Sequence, residues 1–246
     1  MLLVGDWRDI FLALAAIGAL LLAATAIVTE ETLPPEERRS RAVGETFASI
    51  RVLLRHRPYM SFVLSGAFGF GAMFAYISAS AFVYQEVFGM SAQLYAVLFA
   101  VNGLAVMSAN LVNARLVGRS TPEPLLRRGL IALCLGASIL AVAIVLSAGA
   151  VVVLPIVLLT VASVGFVVSN SITLAMAGEA SRAGAASALF GLFQFAVGAG
   201  IAPLVGIAGS SAVPMGLAMA GCALIAMLTY RTLGPTPGAS TVDASA

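Results

Sequence analysis

Apolar residues fill this chain in long runs, and the charged residues cluster between them. A charge at mid-bilayer costs several kcal/mol, so charge-free runs measure candidate spans. The first, Ile10 to Thr29, is long enough for one helix at the roughly 20 residues that about 30 Å of hydrocarbon requires. Pro58 to Gln85 follows, closed by Glu86, and then Val87 to Ala114, closed by Arg115. Gly129 to Gly178 has the length of two spans, interrupted at Ser147-Ala148-Gly149. Ala183 to Tyr230 again holds two, divided at Gly209-Ser210-Ser211. The pattern predicts an all-α membrane protein with seven transmembrane helices.

Only one long polar connection separates these runs, residues 29–58. Pro34-Pro35 stops the first helix, and Glu36-Glu37 favour the start of another. Val43, Phe47, Ile50 and Leu54 then recur at helical spacing, with Arg51 and Arg55 elsewhere on the surface. That spacing predicts an amphipathic helix on the membrane surface. The chain thus divides into a start and first span (1–28), a linker (29–58), a six-helix bundle (59–231) and a tail (232–246). The tail is rich in Pro, Gly, Ser and Thr and is predicted to be disordered. The flank Asp6-Trp7-Arg8-Asp9 lacks the basic start and cleavage site of a signal peptide, so the first run is read as a span.

Composition agrees. Of 246 residues, 61% are hydrophobic and 10% charged, against roughly 25% charged in a soluble domain. A net charge of +2 without a dense basic run excludes a nucleic-acid partner. All thirteen basic residues are arginine. Placing the linker in the cytoplasm puts every arginine but Arg8 on that side, with the amino terminus outside and the carboxyl terminus inside.

The residues also exclude several chemistries. Without a lysine there is no amine for a retinal Schiff base. The lone histidine, His56, lies in the linker and reads as a solvated helix-end residue, so an intramembrane Ser–His protease is excluded. Cys134 and Cys222 sit inside apolar runs and suggest neither a disulfide nor a metal site. No enzyme activity, cofactor or metal is expected. What remains is a set of neutral polar stripes. Ser61, Ser65, Gly69, Tyr76 and Ser80 fall within about a 100° arc of the second span. Asn102, Asn110 and Asn113 mark the third, and Thr160, Ser163 and Asn170 the fifth. Ser187, Gly191, Gln194, Gly198 and Ala202 align in the sixth. Small and hydroxyl residues glue membrane helices together. For Asn102, Asn170 and Gln194, a buried carboxamide also suits a water-filled path, as does Tyr76 well inside its span. Pro155 and Pro203 should bend their helices.

The stretch Phe74-Ala75-Tyr76-Ile77-Ser78-Ala79-Ser80-Ala81-Phe82-Val83 resembles the bicyclomycin/chloramphenicol-resistance (Bcr/CflA) group of drug:proton antiporters in the major facilitator superfamily. Ala81 stands where that group has a proline. Asp6-Trp7-Arg8-Asp9-Ile10-Phe11 and Glu31-Thr32-Leu33 are similar to the two ends of its sixth helix. Asn113-Ala114-Arg115-Leu116-Val117 matches the end of its eighth, and Ala185-Ala186-Ser187-Ala188-Leu189 the start of its eleventh. Gly198, Ala202, Pro203 and Gly206 resemble a degenerate glycine–proline motif of drug antiporters. The resemblance, covering residues 6 to 231, implies the carboxy-terminal six-helix bundle of a twelve-helix transporter, the helix before it and the central linker. It implies efflux of small amphipathic drug-like substrates in exchange for protons, in a bacterial cytoplasmic membrane. No acid lies mid-span; Glu86 comes closest and reads as an interfacial charge. The proton-coupling carboxylate is therefore expected in the other half of such a transporter. The chain by itself is expected not to transport, and to need that half or a second copy of itself. The alternatives are a facilitator for another metabolite and a non-transporting seven-helix scaffold or receptor. The substrate-path candidates are Tyr76, Ser80, Asn102, Asn170 and Gln194; the bend and packing candidates are Pro155, Gly198, Ala202, Pro203 and Gly206.

The arginine distribution has a direct test. In a background lacking Cys134 and Cys222, Arg51→Cys is expected to react with an impermeant thiol reagent from the cytoplasmic side only. Phe88→Cys should react from the outside only. Labelling of both from one side would overturn the topology.

Overall fold

The computed structural model describes residues 7–28, 43–206 and 211–234. The helix stop expected at Pro34-Pro35 and the disorder expected beyond Gly234 lie outside the described residues. The chain divides into two units, Met1–Val43 and Gly44–Ala246. The first contains α1 (Trp7–Val28), an uninterrupted apolar helix with Asp9 in its first turn, where the helix dipole favours an acid.

The second unit carries α2 (Val43–Arg55), α3 (Arg57–Phe82), α4 (Ala92–Val117), α5 (Pro122–Val145), α6 (Ala150–Met176), α7 (Ala183–Gly206) and α8 (Val213–Leu233). Among the described residues, seven helices, α1 and α3 to α8, are long and apolar enough to cross a bilayer. The fold is that of an all-α, multi-pass membrane protein. Helix starts follow local chemistry. Prolines open α3, α5 and α8, where the missing N–H is unneeded, and Ser91 Oγ accepts from Leu94 N (3.2 Å) to cap α4.

Charge-free runs mark the spans but not the helix ends. α5 begins at Pro122, well before Gly129, because Arg127 and Arg128 are exposed and can hold their guanidinium groups at the membrane surface. The α2 helix forms, and it turns one apolar edge to the bundle while leaving another outside it. Leu53 is fully buried and Ile50 packs against the core, whereas Phe47 and Leu54 remain exposed. Two neighbouring apolar arcs were available, and the bundle selects the one that includes Leu53.

α3 is the hub of this unit: it packs against α6, α7 and α8, while α5 joins α6 to α8 and α4 lies on α6. Lipid tails are as apolar as leucine, so close contact rather than water exclusion must hold such helices together. The glycines of α3 provide that contact. A Cβ on Gly66 would fall 2.8 Å from Phe190 Cζ and 2.9 Å from Ser171 Cβ, against α7 and α6 together. The exposed side chains Leu135, Ile139, Leu217, Leu224 and Leu228 give α5 and α8 an apolar outer surface suited to lipid.

Gly66→Val is therefore expected to destabilise the detergent-purified protein by about 1–3 kcal/mol, the usual cost of overpacking. Gly103→Ala, where a Cβ meets nothing within 4 Å, should leave the thermal midpoint unchanged. Equal midpoints for the two variants would refute the hub.

Candidate functional site

Past Ala81 the helix does not break. It continues to Phe82 and widens into a π-helical turn at Val83–Val87, with Phe88 N donating to Val83 O at 3.0 Å. Gly89, at φ 66°, then allows the chain to reverse into α4. Glu86 lies exposed in this turn, at the end of the span. Such bulges gather at functional sites, because the extra residue redirects side chains.

Here it accompanies an aromatic cluster. Tyr84, fully buried, lies 6.4 Å from Tyr76 and meets Tyr95 edge-on at 5.8 Å between centroids. Phe99 stacks on Tyr76 at 6.0 Å and 14°, and contacts Tyr95 at 5.8 Å. Tyr95 and Phe99 stand one turn apart on α4, so two helices and the π turn build the cluster. Ser80 Oγ lies 3.2 Å from the Tyr95 hydroxyl. Asn102 donates through Nδ2 to Leu98 O at 2.8 Å, which leaves Oδ1 towards the cluster.

Three polar atoms in this cluster make no hydrogen bond of good geometry. The hydroxyls of Tyr76 and Tyr84 and Asn102 Oδ1 are near enough to interact, yet no pair meets hydrogen-bond geometry. Serine hydroxyls without partners also occur, at Ser61 and Ser171, and Asn170 Oδ1 is another. Around Tyr76 three such atoms come together. An unmet buried polar group costs about 1–3 kcal/mol. The cluster is therefore poised to receive a ligand with an apolar body and a few polar atoms.

Other candidates are dispersed. Asn170 donates to Asn113 Oδ1 at 2.7 Å and to Phe166 O at 2.8 Å. Asn113 is about 16 Å farther along α4 than Asn102, at 1.5 Å per residue, so Asn170 does not share the Tyr76 cluster. Ser169 donates to Asn110 Oδ1 at 2.6 Å beside it; these two bonds tie α4 to α6. Gln194 is half-buried on α7 and makes no hydrogen bond among the described residues. One turn on, Gly198 lies beneath the ring of Phe74, where a Cβ would be 3.0 Å from it. Pro155 and Pro203 are exposed within α6 and α7, and both helices continue through them. Ala202 is half-buried, and Gly206, the last residue of α7, is exposed.

Charge is absent from the cluster and lies at the helix ends. His56, the residue before α3, is not a free surface histidine. Its Nδ1 is 2.9 Å from Oε1 of Glu179, whose buried carboxylate is also 3.7 Å from Arg182. Gly178, at φ 84°, makes the turn that presents Glu179. No local pattern marks this pair, since 123 residues separate its members. Tyr84, Tyr95 and Phe99 were also missed, although the four-residue spacing of the last two was a usable signal. Among the described residues, no group of His, Cys, Asp and Glu could hold a metal ion.

A bundle of long apolar helices enclosing an uncharged aromatic site belongs to a membrane carrier rather than an enzyme. The model of the Major Facilitator Superfamily matches residues 1–203, and the chain belongs to that superfamily of transporters. It is 34% identical over 224 residues to an uncharacterized MFS-type transporter, YdgK, of Bacillus subtilis, covering 91% of this chain and 56% of the relative. It is 26% identical over 228 residues to a bicyclomycin resistance protein homolog of Haemophilus influenzae, covering 92% and 57%. The chain thus spans little more than half the length of these relatives.

The unmet hydroxyls carry an expectation for stability. Tyr84→Phe should leave the melting temperature unchanged or raised, because it removes a polar atom without a partner. Ser65→Ala should cost about 1 kcal/mol, because Ser65 Oγ donates to Ala226 O at 3.1 Å and joins α3 to α8. Equal losses in the two variants would show that the Tyr84 hydroxyl has a structural bond.

Proposed function

We propose that the transporter containing this chain exports a small amphipathic, drug-like molecule in exchange for protons, as the Bcr/CflA group does. The observation that carries this reading is the aromatic cluster, in which Tyr76 and Tyr84 are buried and Phe99 is exposed, with three polar atoms that meet no hydrogen-bond geometry. Aromatic faces hold apolar ring systems of many shapes, and a few convergent polar atoms orient them without demanding one partner. The bicyclomycin resistance homolog among the relatives supports the same substrate class.

In this reading Tyr76, Tyr84, Tyr95, Phe99 and Asn102 form one wall of the substrate path. Ser80 steadies Tyr95, Asn170 fixes α4 on α6, and Gln194 offers a further polar contact from α7. The path closes as two bundles rock about a site near the midplane. The proton must be carried elsewhere, since no acid in the chain lies mid-span. We assign the coupling carboxylate to the part of the relatives' length that this chain does not span. The protein is placed in the bacterial cytoplasmic membrane, amino end outside.

Two measurements test the proposal. In cells expressing the full-length transporter, labelled bicyclomycin should accumulate less than in cells without it. Tyr76→Phe should change that difference at least severalfold while abundance stays constant. Unaltered accumulation at normal abundance would refute the assignment of Tyr76. In liposomes with an imposed proton gradient, the full-length protein should drive uptake and the purified 246-residue chain should not. Uptake by the chain alone would overturn the assignment of the coupling carboxylate to the part that this chain does not span, and would mean that two copies had supplied both halves.

A further inference from the structure

Away from the aromatic cluster, at the opposite end of the span, the first turns of α5 and the last turn of α8 enclose a cavity of about 330 Å³. Thr121, Glu123, Arg127, Arg128, Ile131 and Tyr230 are among its walls. Neither Arg127 nor Arg128 forms a salt bridge among the described residues. The one acid in the wall, Glu123, is approached by the Tyr230 hydroxyl at 3.4 Å. Two arginines and one acid therefore line the cavity, so the arginines outnumber the acid, and among the described residues neither lies within salt-bridge distance of it. The first N–H groups of α5 open on the same end, and Thr121 precedes them without capping them through its side chain.

Arg128 also borders a second hollow of about 300 Å³, on the other side of α5. That hollow is almost wholly apolar, with Ala109, Ala132, Leu159 and Phe166 in its wall. A basic cavity at the end of a span, joined through one arginine to an apolar groove along the span, matches a ligand with an anionic head and a hydrocarbon tail.

We propose that this is a binding site for an acidic phospholipid of the adjoining leaflet. Its phosphate lies between Arg127 and Arg128, and one acyl chain runs past Ala132 against α6. Arginine pairs suit phosphate because the planar guanidinium offers two parallel donors. A free phosphate would satisfy the arginines but leave the apolar groove unfilled, so the lipid is the occupant that uses both hollows. The site is independent of which molecule the transporter carries.

The test uses the whole chain purified in a neutral detergent, with bound lipid counted by native mass spectrometry. Phosphatidylglycerol should bind in preference to phosphatidylcholine. Arg127→Gln and Arg128→Gln should each weaken phosphatidylglycerol binding about fivefold, in line with the contribution of one basic residue near an anionic surface. Neither should alter phosphatidylcholine binding or the melting temperature. Arg119→Gln, a change outside the site, should have no effect. Ala132→Phe, which fills the groove but keeps both arginines, should weaken phosphatidylglycerol as well. Undiminished preference in the arginine variants, or an equal loss in Arg119→Gln, would overturn the site. Displacement of the lipid by millimolar inorganic phosphate, with Ala132→Phe silent, would overturn the lipid assignment and leave a site for a free anion.

Discussion

Everything in the bundle depends on how closely other helices approach α3. In hydrocarbon each helix already satisfies its own backbone, and the hydrophobic effect gives neighbouring helices no reason to associate. Dispersion and shape must supply the attraction, and both fall away quickly with distance. Gly66, Gly69 and Gly71 let α6 and α7 come so near that a Cβ at any of them would lie under 3.0 Å from a neighbouring side chain. The same surface buries Ser65, which reaches the α8 backbone. The small residues of α3 thus set the helix spacing, and the larger aromatic residues fill what that spacing leaves.

The polar residues divide by whether their bonds are met. Thr160, Ser163, Thr173 and Thr229 return their hydroxyls to carbonyls of their own helices, which neutralises them within the apolar bundle. Asn170 and Asn113, and Ser169 with Asn110, spend theirs between helices. At Tyr76, Tyr84 and Asn102 the side chains are held firmly by ring packing while their polar atoms are left over. Packing alone would be served as well by phenylalanine and leucine at these positions. The hydroxyls and the carboxamide are understandable if they meet something that comes and goes.

The seven spans were legible because a charge in hydrocarbon is so costly that every long helix must be written as a charge-free run. The same ruler misplaced the start of α5, because arginine side chains are long enough to reach the surface from inside the helix. Which face of α2 turns inward depends on where the bundle offers room for Leu53, a fact of tertiary packing with no local trace. The candidate site was half legible. Tyr76, Ser80 and Asn102 were found as polar residues in apolar runs, whereas Tyr84, Tyr95 and Phe99 looked like ordinary hydrophobic filling. Their importance arises from the π turn and the reversal at Gly89, which bring Tyr84 against Tyr95 and set Phe99 beside Tyr76.

The placement of charge limits what this part of the transporter can contribute. Glu179 is a buried acid, but it lies at the α6–α7 connection with His56 and Arg182 around it. Its position at the end of the span removes it from the aromatic cluster. The cluster itself is uncharged, so in the proposed function it would distinguish ligands by shape, stacking and a few hydrogen bonds. Recognition of that kind is permissive, because a missing or added methylene changes binding by only about 1–3 kcal/mol. A wall built this way suits a carrier of varied amphipathic molecules. Under the proposed exchange with protons, the coupling would come from a group that competes with the substrate, or alternates with it, from across the path. In this view the aromatic wall and the coupling carboxylate are separable, and exchanging residues of the first would change what is carried without changing what drives it.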